Sequence, residues 1–268
     1  MSLRWGIINT VKVWSDGMRI WYMNGAGNDF AVIDARDMKI DMSEMAKDLC
    51  KKRSCDGFMA LDRSEIADFK LHFYNEDGSR AEMCGNGARC ICRFAYDNGI
   101  AKEKMTVETD AGTVEGERIS EDVYRIKIGA PKDISLAQKD NVDRATVGVP
   151  HAAIEIDGLD FDMSDKLFER ARALRQELNA NINFYSKVEE STVKILTYER
   201  GVEDFTLACG TGSCAVAVIL WSKGELKEKA MTVKNRGGEL KVIIDVIKDG
   251  INAVYLEGKA EVDCVSDR

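Results

Sequence analysis

Cys84 and Cys209 stand in two stretches that read as copies of one another. Met83-Cys84-Gly85-Asn86-Gly87-Ala88-Arg89-Cys90 and Ala208-Cys209-Gly210-Thr211-Gly212-Ser213-Cys214 are each Cys-Gly-x-Gly followed by small and apolar residues. Placed at a helix N-terminus, such a cysteine meets unpaired amides and the positive end of the helix dipole. These lower a thiol's pKa and make thiolate accessible near neutral pH. The neighbouring glycines let a ligand approach the backbone closely, and their amides can hold a carboxylate.

Two reactive thiols on matching elements have four readings: disulfide exchange, peroxide chemistry, nucleophilic catalysis, or an acid and base pair. Exchange usually wants Cys-x-x-Cys in a βαβ context, and neither is present. A nucleophile of the protease kind needs one cysteine with a histidine and an orienting group. Duplicated cysteines facing each other suit a reaction that is itself nearly symmetric, taking a proton from one face of a carbon and returning one to the other. That is racemisation or epimerisation.

The elements that must position these cysteines repeat as well. Residues 69–74 and 193–198 are short runs rich in aromatic and β-branched residues, each leading into a polar turn, and they read as strands. Ala88, Ile91, Cys92 and Ala95 fall at helical spacing, while 214–221 is apolar on every side and predicts a buried helix. Gly99 and Gly224 supply the left-handed position that ends each helix. Lys102-Glu103-Lys104-Met105-Thr106-Val107 is then answered by Lys227-Glu228-Lys229-Ala230-Met231-Thr232-Val233, and Gly112 by Gly238. Each half reads strand, turn, cysteine, helix, strand: an internal duplication.

At 268 residues and 45% hydrophobic content the chain can bury substantial cores. A net charge of -8 without a basic run argues against a nucleic-acid partner and for a small molecule. No apolar run reaches 18 residues, and 1–17 lacks the pattern of a signal peptide, so neither a membrane partner nor export is expected and the cytoplasm is. The eight cysteines should then be reduced. Cys90-Ile91-Cys92 is not a usual zinc spacing and there are two histidines, so no metal is expected.

Along the chain, residues 1–17 read as an extension or expression remnant, followed by halves at 18–130 and 131–268. Asn24-Gly25-Ala26-Gly27-Asn28-Asp29-Phe30 is a glycine turn between strands, in which Asn28 could put an amide into a site. Residues 43–52 read as a helix capped by Ser43, and 164–178 as a helix capped by Ser164. Residues 105–114 and 123–128 should be strands and 131–144 the crossing between halves. Residues 146–151 read as a strand running into a turn set by Pro150, with His151 at its tip and able to titrate near neutrality. A closing strand is expected at about 251–262.

The chain resembles the diaminopimelate epimerase family. The residues that carry this are Gly25-Ala26-Gly27-Asn28-Asp29-Phe30, the run from Tyr74-Asn75-Glu76-Asp77-Gly78 to Cys84-Gly85-Asn86-Gly87-Ala88-Arg89, Pro150-His151, Asn183-Phe184, and Tyr198-Glu199-Arg200-Gly201 leading to Cys209-Gly210-Thr211-Gly212. The resemblance implies an α/β (α+β) fold of two pseudo-symmetric halves, each a curled, mostly antiparallel sheet around a central helix. The site would lie in the cleft between them, and the last strand, at about 252–264, would cross back to the first half. It also implies an isomerase that needs no cofactor and converts LL- to meso-diaminopimelate in lysine and peptidoglycan precursor synthesis. Cys84 and Cys209 would be the acid and base, and His151 and Glu199 would tune their pKa values. Amides of Gly85, Asn86, Gly210 and Thr211 would clamp the substrate carboxylate, with Asn28, Asn75, Asn183, Glu199 and Arg200 holding the rest. Val149 stands where the family usually has asparagine, and the loop at 52–57 is shorter than the family's. A racemase of another amino acid such as histidine, or an amino-acid-binding relative without turnover, stays open, as does a homodimer.

Overall fold

The computed structural model describes residues 18–81, 83–137 and 141–267. The expected extension at 1–17 and part of the 131–144 crossing lie outside the described residues. In chain order come β1 (Arg19–Gly25), β2 (Asn28–Asp34), α1 (Met42–Arg53), β3 (Gly57–Asp62), β4 (Phe69–Asn75), β5 (Arg80–Ala81), α2 (Gly85–Asp97), β6 (Lys104–Thr109), β7 (Gly112–Arg118), β8 (Val123–Gly129) and β9 (Lys132–Ser135). The same series recurs as β10 (Asp143–Val147), β11 (Val149–Glu155), α3 (Ser164–Leu178), β12 (Asn181–Glu189), β13 (Thr192–Glu199), β14 (Asp204–Phe205), α4 (Gly210–Ser222), β15 (Ala230–Asn235), β16 (Gly238–Ile247), β17 (Gly250–Lys259) and β18 (Glu261–Asp267).

Pairing repeats with the elements. β2–β3 and β4–β6 are parallel, as are their counterparts β11–β12 and β13–β15. Hairpins supply antiparallel contacts on either side. The last strand of each series pairs with the first strand of the other, β9 with β10 and β18 with β1, so the first series runs past residue 130 to the end of β9. β17 pairs with β8 and joins the two sheets.

Inside each curl stands one helix. α4 is buried from Gly212 to Leu220 because it has no polar face to turn outward. Its Val216, Val218, Ile219 and Leu220 side chains each stabilise the fold by about 1.5–3 kcal/mol. α2 fills the first half likewise, packing Ile91 and Phe94 against Phe30, Val32 and Met59. The opposite face of the same strands, Ala31, Ile33, Phe58 and Ala60, packs on α1, so β2 and β3 are apolar on both sides. Gly99 and Gly224 have φ of 67° and 73°, as the ends of α2 and α4 require.

Several expectations are corrected. α1 is capped by Asp41, whose side chain accepts from the Glu44 amide, while Ser43 Oγ donates to the Gly78 carbonyl. Asp160 caps a single 3-10 turn, Phe161–Met163, that leads into α3 in place of Ser164. Residues 105–114 are a hairpin turning between Thr109 and Gly112. The turn expected at Pro150 falls at Gly148, and Pro150 lies within β11. The closing strand is two strands, β17 and β18.

Candidate active site

Cys84 and Cys209 are the N-cap residues of α2 and α4, both in extended backbone. The glycines that follow them converge on one side chain. A methyl group on Gly85 would lie 3.2 Å from Leu256 Cδ2 and one on Gly210 2.5 Å from the same atom, so both helix starts rest on the strand that joins the halves. Asn86 spans the remaining gap: its Nδ2 donates to Asn28 Oδ1 (2.7 Å) and to the carbonyl oxygen of Ala208 (3.4 Å).

The sulfurs belong to one electrostatic neighbourhood. The Gly212 amide donates to Cys209 Sγ at 3.4 Å, while the amides of Asn86 and Gly87 favour the ionised form of Cys84 without forming a cap hydrogen bond to it. The Glu199 charge is felt at Cys209 and at Cys84, and Cys84 in turn is felt at Cys209. Burial outweighs the amides here. Both thiols are pushed up, that of Cys209 well above its ordinary value, which corrects the expectation of thiolate near neutral pH. Burial also raises the Glu199 carboxyl, against a 2.5 Å hydrogen bond from Thr206 Oγ1.

His151 differs most from its expected place. It is 1% exposed within β11, and burial pushes its pKa down to about 3, so the imidazole stays neutral. Its Nδ1 lies 3.2 Å from Asn183 Nδ2. Asn183 is itself fully buried, donating to the Ala152 carbonyl (2.9 Å) and accepting from Thr197 Oγ1 (2.9 Å). A methyl group on Gly212 would lie 2.3 Å from Asn183 Oδ1, so this carboxamide backs the first turn of α4 instead of standing open to a ligand. Asn28 sits at the start of β2, with Nδ2 donating to Asp56 Oδ2 (3.1 Å). Asn75 is exposed at the end of β4, where it donates to Ser79 Oγ (2.9 Å), and Arg200 is exposed at the matching end of β13. The Arg200 backbone amide is fixed by Asn181 Oδ1 (2.7 Å), while its guanidinium reaches the Asn179 carbonyl (3.4 Å). Thr211 is half-buried, and the turn at Gly148, beside Val149, approaches its methyl group.

The sequence model of diaminopimelate epimerase matches residues 20–132 and 144–262. The chain belongs to the diaminopimelate epimerase family. It is 36% identical to the diaminopimelate epimerase of Aquifex aeolicus, over 90% of this chain and 94% of that one. It is 37% identical to that of Archaeoglobus fulgidus, over 84% and 89%. Among solved structures, a phenazine biosynthesis protein of Bacillus anthracis superposes with a TM-score of 0.74 at 15% identity, covering 95% of this chain and 99% of that one. A hydroxyproline epimerase from Agrobacterium vitis superposes at 0.68 and 15%, covering 94% and 92%. These two show a shared fold.

Within this diaminopimelate epimerase family chain, some neighbours of the cysteines escaped the sequence reading. Arg89 is 0% exposed, and its guanidinium donates to Asn86 Oδ1 (3.0 Å) and to the carbonyls of Gly85 (3.3 Å) and Lys259 (3.4 Å). Among the described residues no carboxylate pairs with it. An arginine on the apolar side of a helix is the signal that could have found it. Asp56 and Leu256 lie far in sequence from both cysteines, so only the fold reveals them, while Thr206 lies three residues before Cys209 and gave no signal of its own.

Proposed function

We propose that the protein epimerises LL-diaminopimelate to meso-diaminopimelate without a cofactor, by proton transfer between Cys84, the substrate α-carbon and Cys209. The observation that carries this reading is the convergence of two cysteine-capped helix starts on Leu256, with Glu199 sensed by both sulfurs.

In one direction the Cys209 thiol passes its proton to Glu199, whose burial-raised carboxyl makes it a competent acceptor. The resulting thiolate breaks the α-C–H bond and takes that proton. The electron pair moves onto the substrate carboxylate, held by amides of Gly85, Asn86, Gly210 and Thr211 acting as an oxyanion hole. Cys84 gives its proton to the opposite face. The reverse reaction exchanges the two roles. A thiol whose pKa is raised by a dry site yields a stronger base when ionised, which suits a weakly acidic C–H bond. Arg200, at the rim, pairs with the distal carboxylate, and Asn28 and Asn75 hold polar groups of the substrate. Neutral His151 and Asn183 act from behind α4. Reduced thiols suit a cytoplasmic setting.

Incubation in deuterated water with diaminopimelate and a panel of single-isomer amino acids tests the reading. Epimerisation with deuterium entering the α-carbon of diaminopimelate is expected. Exchange confined to another amino acid assigns a sister racemase, and no exchange under reducing conditions contradicts turnover altogether.

A further inference from the structure

Away from the proposed site, Cys50 in the last turn of α1 and Cys55 just beyond it are each 2% exposed, with their sulfurs 3.0 Å apart. That is about 1 Å more than a disulfide bond. Ser54 between them takes a left-handed conformation, φ 53° and ψ 43°, which turns the chain so that the two side chains meet. Cys55 also walls a cavity of about 120 Å³, lined as well by Arg53, Asp29, Asp263 and Cys264. Arg53 is exposed and stacks 4.6 Å over the Tyr22 ring, placing a cation at the entrance.

We infer that Cys50 and Cys55 form a reversible disulfide, closed by exchange with a small organic disulfide that reaches Cys55 through this cavity. The Cys55 thiolate attacks one sulfur of the small disulfide, forming a mixed disulfide and releasing one small thiolate. Cys50 then loses its proton and attacks the Cys55 sulfur, displacing the second small thiolate. The two protein thiols are oxidised as the small disulfide is reduced to two thiols. The order follows from the geometry: Cys55 lines the cavity and Cys50 lies behind it, 3.0 Å from the Cys55 sulfur. Closure ties the end of α1 to the loop carrying Asp56, which holds both Asn28 Nδ2 and the Asp29 amide (2.9 Å).

The test is equilibration of the whole chain with oxidised and reduced glutathione at defined ratios, followed by alkylation, trypsin and mass mapping. It is run on the wild type and on Cys84→Ser/Cys209→Ser, which removes the other cysteine pair. The expected product joins tryptic peptides 48–51 and 54–63 and is undone by dithiothreitol. Cys50→Ser should stop at glutathione on Cys55, while Cys55→Ser should leave Cys50 free. The closed form should melt about 4 °C above the reduced one. Both peptides recovered as free thiols at high oxidised glutathione, or a Cys55 to Cys264 link in place of the expected one, would overturn the proposal.

Discussion

Asn86, one residue into α2, donates to the carbonyl oxygen of Ala208, the residue before Cys209. A side chain from one half thus holds the backbone that presents the other half's cysteine. Asn86→Ala removes this bond and those to Asn28 and Arg89. It should lower turnover by about 10- to 100-fold with a smaller change in KM, because a shift of about 1 Å at a reacting group has effects of that size. Steady-state kinetics on a variant with unchanged circular dichroism checks this.

Arg89 lies fully buried with no carboxylate partner among the described residues, close enough to Cys84 for its charge to be felt there. Replacing an unpaired buried charge by an apolar side chain of similar length is often neutral or stabilising. Arg89→Met is therefore expected to melt at or above the wild-type temperature while losing about 100-fold in kcat/KM. Thermal unfolding and kinetics on the same preparation separate the two effects, and a variant that keeps full activity would show that the Arg89 charge plays no part in poising Cys84.

His151 ties stability to acid pH. Its folded pKa of about 3 lies below its ordinary 6.5, so the unfolded chain binds a proton that the folded chain refuses between those values. Its contribution is complete above pH 6.5 and is lost as the pH falls towards 3. Between pH 7 and pH 5 this amounts to about 2 kcal/mol. Urea unfolding of wild type and His151→Gln at both values should show that much less acid sensitivity in the variant.

Gly212 has no room for a side chain. A Cβ there would lie 2.3 Å from Asn183 Oδ1 and 3.2 Å from Thr197 Oγ1. Gly212→Ala should cost about 1–3 kcal/mol by urea unfolding. Asn183→Ala should recover part of that loss when added to it, and additive losses would show that the clash is elsewhere.

What the sequence disclosed and what it hid follow from the range of the interactions. The apolar run of α4, the strand signals at 69–74 and 193–198 and the glycines ending α2 and α4 are local, so these elements and the duplication were readable, whereas β3 was not read as a strand. Ser43 and Ser164 read as caps by residue type, but the chain enters each helix a few residues earlier, where Asp41 accepts from the Glu44 amide and Asp160 from the Phe161 amide. The return of β18 to β1 depends on pairing across most of the chain, which no local pattern records. For the site, the cysteines and their helix starts were legible as residue types at a spacing. The direction of their pKa shifts was not, since burial is a property of the assembled fold. His151 was misplaced for the same reason: beside Pro150 it reads as a turn, yet β12 and β10 flank β11 and enclose it.

The most direct test of the two-thiol account is the rate of LL- to meso-diaminopimelate conversion in Cys84→Ala and Cys209→Ala, each shown by circular dichroism to be folded and assayed in reductant. If one thiol takes the proton and the other returns it, either substitution alone should lower the rate by about 10³-fold or more. Turnover in either variant within about tenfold of the wild type, less than general acid-base catalysis typically contributes, would contradict the account.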